Sequence, residues 1–103
     1  MKRRHKYHAQ PTTVGGVRYA SKAEARYAQA LAIAKESGVI LGWTRQHPFY
    51  FANGSKYVCD FSVWYADGHH EFVEVKGVET QVWKLKMKMM AAEYPWAEVK
   101  VVK

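Results

Sequence analysis

Residues 57–77 read YVCDFSVWYADGHHEFVEVKG, and the fold of the chain follows from how this stretch pairs with itself. Segments 57–65 and 70–76 are rich in Val, Phe, Tyr and Trp, with Ala66-Asp67-Gly68 between them. β-Branched and aromatic runs around a short Gly-containing loop predict a hairpin. A three-residue loop with Gly at its left-handed position fits Ala66-Asp67-Gly68. Such a loop pairs Tyr65 with His69, and counting outward sets Asp60 opposite Glu74. A register shifted by one residue would set Asp60 opposite Val75 instead. Lys76 lies two residues beyond Glu74 and shares its face.

Directly opposed strand residues sit about 4.5–5.5 Å apart at Cβ, and like charges there are destabilising. Asp60 facing Glu74 therefore calls for a cation between them. Mg²⁺ suits that gap, because it needs only one or two carboxylates, with water and phosphate completing its shell. Lys76 beside the pair would orient a water or neutralise a phosphate. A solvated sheet face of alternating charge also accommodates Glu74 and Lys76, with Asp67, Glu71 and two histidines nearby. That reading leaves Asp60 unexplained, since it interrupts an apolar strand between Cys59 and Phe61.

At 103 residues the chain is expected to form one domain, with residues 1–11 a basic arm and 12–103 the folded unit. Apolar residues make up 49% of the sequence, which excludes a disordered chain. The formal net charge of +7 favours a polyanionic partner, nucleic acid first and an acidic membrane surface second. No apolar run approaches the roughly 18 residues of a membrane helix, and the basic N-terminus lacks a signal peptide's apolar segment. One cysteine makes no internal disulfide, so a cytoplasmic location is the expectation. The five histidines show no paired Cys/His spacing of a zinc site.

The N-terminal segment carries Lys2, Arg3, Arg4 and Lys6, either as a frayed terminus or as an arm that lies along phosphates. Residues 12–20 read as a short hairpin around Gly15-Gly16. A helix follows at about 21–36, opened by the capping box Ser21-Lys22-Ala23-Glu24 and closed by Gly38. Ala23, Tyr27, Ala30, Leu31 and Ala34 share one face, which is expected to be buried. Two strands are expected at 39–44 and about 47–52, with Asn53-Gly54 turning the second into the strand that carries Asp60. Pro48 argues for an edge position or a strand start. A second helix spans about 80–94 and stops at Pro95. Its stripe Trp83, Met87, Met90, Tyr94 is expected to pack on the sheet. A second stripe, Leu85, Met89 and Ala92, is expected either to be covered by another copy, giving a homodimer through this helix, or to lie at the surface or under the N-terminal segment. Residues 97–102 alternate as a closing strand.

Asp60, thirteen intervening residues and then Glu74-Val75-Lys76 resemble the pattern of the PD-(D/E)XK nucleases, an Asp followed by Glu-x-Lys on the next strand. Cys59 stands where that pattern has its Pro. The segment VRYASKAEARYAQAL is similar to the first helix of small phage-type resolving endonucleases and of TnsA-like transposase endonuclease subunits. The resemblance implies an α/β restriction-endonuclease-like core, a mixed central sheet flanked by two helices in the order αβββαβ. It also implies that Glu24 completes a metal site, where the local pattern alone makes it a capping-box residue. Gln46 would lie near the active face, or would simply be a polar residue at a strand entrance.

In that reading Asp60 and Glu74, with Glu24 and the Val75 carbonyl, hold Mg²⁺, for which Mn²⁺ would substitute, against a scissile phosphate of DNA. Lys76 positions the attacking water or shares the phosphate's charge. Lys22, Lys84 and Lys88, with the arm, supply sequence-independent phosphate contacts. The resemblance and the expected dimer together imply a phage- or prophage-type endonuclease selective for Holliday junctions or other branched DNA. The alternatives are a nicking subunit of a recombination or transposition complex, and a catalytically inactive basic DNA-binding module.

Overall fold

The structure is a computed structural model that describes residues 10–76 and 78–103. The basic residues Lys2, Arg3, Arg4 and Lys6 lie outside the described residues. Strands β1 (Thr12–Val14) and β2 (Val17–Tyr19) form the small hairpin expected around Gly15-Gly16. Helix α1 (Lys22–Glu36) follows, then β3 (Ile40–Tyr50), β4 (Lys56–Tyr65), β5 (His70–Val75), helix α2 (Gln81–Glu93) and β6 (Val99–Val102). The four later strands make one sheet in the order β3-β4-β5-β6. The first three run antiparallel and β6 lies parallel to β5, so the fold is mixed α/β. Among the described residues, no helix is long and apolar enough to cross a membrane.

Local chemistry accounts for the main boundaries. Ser21 caps α1 by accepting the Glu24 N–H at 3.1 Å, and Thr80 caps α2 by accepting the Trp83 N–H at 3.1 Å. Gly68 takes φ +99°, a left-handed conformation that closes the β4–β5 loop at low steric cost. The Tyr65 N–H donates to the His69 carbonyl at 2.9 Å, as the expected loop requires. Pro48 sits on β3, an edge of the sheet, where its missing N–H is tolerated.

Two expectations are corrected. The strands expected at 39–44 and 47–52 are a single strand, β3, which bends at Gln46 instead of breaking into two. The buried face of α1 is Glu24, Ala25, Ala28 and Leu31, with Tyr27 and Ala34 partly buried and Ala30 exposed. Alanines surround this helix, so apolar spacing gives little contrast, and a buried Glu24 falls outside any apolar stripe.

The sheet separates two apolar layers. Ala25, Ala28 and Leu31 of α1 pack with Ile40, Phe61, Val63 and Val73. Met90 of α2, with Trp83, Met87 and Tyr94, packs with Phe49, Tyr57, Cys59 and Phe72. Met89 also packs on this second layer, so only Leu85 and Ala92 of the expected free stripe are exposed. Phe72 and Val73 are neighbours on β5 and enter different layers, as strand alternation requires.

Along β4, however, Tyr57 and Cys59 enter the α2 layer while Phe61 and Val63 enter the α1 layer. Residues two apart normally share a face, so the alternation slips at Asp60. β3 slips at the matching point. Its pairing with β4 runs Arg45↔Phe61 and His47↔Cys59 and passes over the Gln46–Asp60 step between them. Gln46 has φ +56°, left-handed for a non-glycine residue.

Candidate active site

Asp60 thus occupies the one position where both neighbouring ladders lapse. On the β5 side the last paired residues are Phe61↔Val73, and one step further in the same register sets Asp60 against Glu74. The Asp60 side chain fills the gap in the ladder itself, its Oδ2 accepting the Val75 N–H at 2.9 Å. It is half-buried.

Glu74 is buried at 7% exposure. Its Oε1 accepts a 2.6 Å hydrogen bond from the Tyr57 hydroxyl, and its Oε2 lies 3.7 Å from Lys76 Nζ. Glu24 is buried still deeper, at 3%. Its Oε1 accepts the Ala20 N–H at 3.2 Å, and its Oε2 accepts from Gln46 Nε2 at 3.4 Å and lies 3.7 Å from Arg45 Nη2. The capping box is therefore half formed. Ser21 caps the helix, but the Glu24 carboxylate takes the Ala20 N–H instead of returning a bond to Ser21.

These three carboxylates open onto one cavity of about 410 Å³, whose lining also includes Val75, Lys76 and Lys103. Its electrostatics record a charge conflict. Burial, followed by the Glu74 charge, pushes the Asp60 carboxyl up to about 7, against the pull of the Val75 N–H. Burial likewise raises Glu74, opposed by the Tyr57 hydrogen bond and the Lys76 charge. Glu24 and Glu74 each have a cation 3.7 Å away, so the conflict falls on Asp60, which the charges of its two acidic neighbours raise further. Another cavity, of about 370 Å³, lies around His69, Phe72, Trp96 and Lys100, where Glu71 pairs with Lys100 at 3.7 Å. It carries no comparable conflict.

The carboxylate oxygens suit a hard divalent cation, and the cavity has room for waters to complete its shell. Among the described residues, no three His, Cys, Asp or Glu side chains are already arranged around a common metal position.

Of the residues expected at the site, Glu24, Asp60, Glu74, Val75 and Lys76 line this cavity. Gln46 does not line it and instead reaches Glu24 from the side of β3. Lys22, Lys84 and Lys88 are exposed and none lines the cavity. Sequence reasoning missed Tyr57, Arg45 and Lys103. Arg45 carried a signal, as the one Lys, Arg, Asp or Glu on β3. Lys103 follows a strand that lies parallel to β5, so the topology would have placed it near Lys76.

The free cysteine, Cys59, is fully buried, and burial pushes its thiol up to about 11. It is a packing residue of the α2 layer, not a nucleophile.

Fold and site together define a basic, mixed α/β protein with a carboxylate-lined cavity beside the first turn of α1. The chain belongs to a protein family of unknown function, DUF1064, whose sequence model matches residues 4–103. No curated protein and no solved structure matches it.

Proposed function

We propose that the chain is a metal-dependent endonuclease that hydrolyses DNA phosphodiester bonds on a restriction-endonuclease-like core. The observation that carries this reading is the meeting of Glu24, Asp60, Glu74 and Lys76 on one cavity in a chain of net charge +7. Asp60 and Glu74, with Glu24 and the Val75 carbonyl, would hold Mg²⁺ or Mn²⁺. When bound, the ion supplies Lewis acidity and lowers the pKa of water.

The chain's own groups do the rest. Lys76, 3.7 Å from Glu74, presents an ammonium to the water or to a phosphate oxygen. Tyr57 fixes the Glu74 carboxylate, and Arg45 and Gln46 fix that of Glu24. Water attacks phosphorus and gives up a proton to solvent, one P–O bond forms and the bond to the leaving sugar oxygen breaks, and that oxygen takes up a proton from solvent. Exposed Lys22, Lys84 and Lys88 add phosphate contacts independent of sequence. Selectivity for Holliday junctions or other branched DNA, and a homodimer formed through exposed Val82 and Leu85 of α2, complete the proposal.

One observation favours a second reading, a catalytically silent DNA-binding module. Glu24 and Glu74 each already have a cation 3.7 Å away, in Arg45 and Lys76. Incubating branched and linear duplex DNA with the protein in Mg²⁺, Mn²⁺ or EDTA separates the two. The nuclease cuts with either ion and not in EDTA, and Asp60→Asn or Glu74→Gln abolishes cutting while leaving binding intact. Binding without cleavage in any metal establishes the silent module.

A further inference from the structure

A cleft of about 290 Å³, lined by Pro11, Arg18, Tyr19, Ala20, Arg45 and Gln46, adjoins the carboxylate cavity and shares Ala20 with it. Glu24 is the partition between them. It lines one cavity and is held from the other side by Arg45 and Gln46. The sign of charge reverses across that partition, and no carboxylate lines the cleft.

Arg45 is built into this cleft. Its guanidinium lies 4.4 Å from the centroid of the buried Tyr19 ring, and Nη2 donates to the Arg18 carbonyl at 3.2 Å. Its Nε is buried and has no hydrogen-bond partner among the described residues. The guanidinium is thus held in place while 26% of the Arg45 side chain stays exposed, a fixed cation on the wall of the cleft. The Arg18 side chain and Gln46 are both exposed and add a second cation and an amide to the same lining.

We infer that this cleft is a phosphate subsite, with Arg18 and Arg45 gripping the phosphodiester next to the one presented to Glu24, Asp60 and Glu74. The strand would thus cross the first turn of α1, one phosphate on either side of Glu24. The position of that neighbouring phosphate rests on the nuclease reading. Anion binding by the two arginines does not.

The test is binding of labelled duplex DNA, followed by fluorescence anisotropy in EDTA over a series of KCl concentrations. Wild type is compared with Arg18→Gln, which alters only an exposed side chain, and Arg45→Lys, which keeps a charge beside Glu24 but removes the planar fork. Circular dichroism melts verify that both variants are folded. Arg18→Gln should flatten the slope of log affinity against log salt by about 1, the value for one lost phosphate contact. Arg45→Lys should weaken binding roughly tenfold, as a guanidinium fixed against Tyr19 becomes a flexible point charge. If wild type binds DNA and both variants match it in slope and within twofold in affinity, the subsite is refuted. Should the variants behave as expected while wild type cleaves nothing in Mg²⁺ or Mn²⁺, the subsite stands and the nuclease reading falls. Wild type that cleaves, with both variants binding as it does, leaves the nuclease standing without the subsite. Absence of any DNA binding retires both.

Discussion

The Tyr57 hydroxyl donates a 2.6 Å hydrogen bond to Glu74 Oε1, joining the start of β4 to the end of β5. Both groups are buried, and the phenol is pushed upward by burial, so it stays a donor at any working pH. Tyr57→Phe strips Glu74 of that partner. Leaving a buried acceptor unpaired costs about 1–3 kcal/mol. Urea denaturation at pH 8 should show a loss of that size without a change in slope.

Asp60 makes stability pH-dependent in metal-free protein. Its folded-state pKa of about 7 lies above the ordinary 3.8, so between those values the folded chain binds a proton that the unfolded chain releases. Stability therefore falls as pH rises from about 4 to about 7, and is lowest once Asp60 is fully ionised. In EDTA, Asp60→Asn should raise the melting temperature at pH 8 and flatten the pH profile through this window. A variant no more stable than wild type at pH 8 would show that no charge conflict exists at Asp60.

A divalent cation should reverse that penalty. Mn²⁺ or Mg²⁺ binding only the folded state stabilises it by mass action. The expected rise in melting temperature is several degrees in millimolar Mn²⁺ at pH 8. It should be smaller at pH 6, where protons compete for Asp60. The shift should disappear in Asp60→Asn, and isothermal titration calorimetry would measure the same loss directly.

Gln46 holds a left-handed backbone at φ +56° without being glycine, which costs of order 1 kcal/mol. Gln46→Ala keeps that strain and loses the bond to Glu24, whereas Gln46→Gly loses the bond and relieves the strain. The glycine variant should be the more stable of the two by about 1 kcal/mol. Both should cleave DNA more slowly than wild type if the side chain steadies Glu24. Equal stabilities would mean that the backbone at residue 46 is not strained.

Much of the architecture was legible because it is written in short-range chemistry. Ala66-Asp67-Gly68 set the β4–β5 register, Ser21 marked the start of α1, and Asn53-Gly54 turned β3 into β4. Asp60 stood out for a related reason, as a charge that breaks an apolar run. Other features depend on how strands twist against one another. Nothing local in Arg45-Gln46-His47 announces a left-handed residue, since glutamine carries no turn preference of its own. Tyr57 reads as one more strand aromatic until β5 brings Glu74 beneath it. The face of α1 was misread because alanine surrounds the helix and its deepest polar residue, Glu24, is a charge.

The slip shared by Gln46 and Asp60 has a mechanical consequence. Because β3 and β4 each change sides there, residues that strict alternation would keep on one face part company: Trp43 and Phe61 anchor to the α1 layer, while Phe49 and Cys59 on the same two strands anchor to the α2 layer. Neither layer can melt alone without tearing strands that the other still grips. The chain is accordingly wired to unfold in one concerted step, and the carboxylates sit at the crossing where the two halves are stitched together.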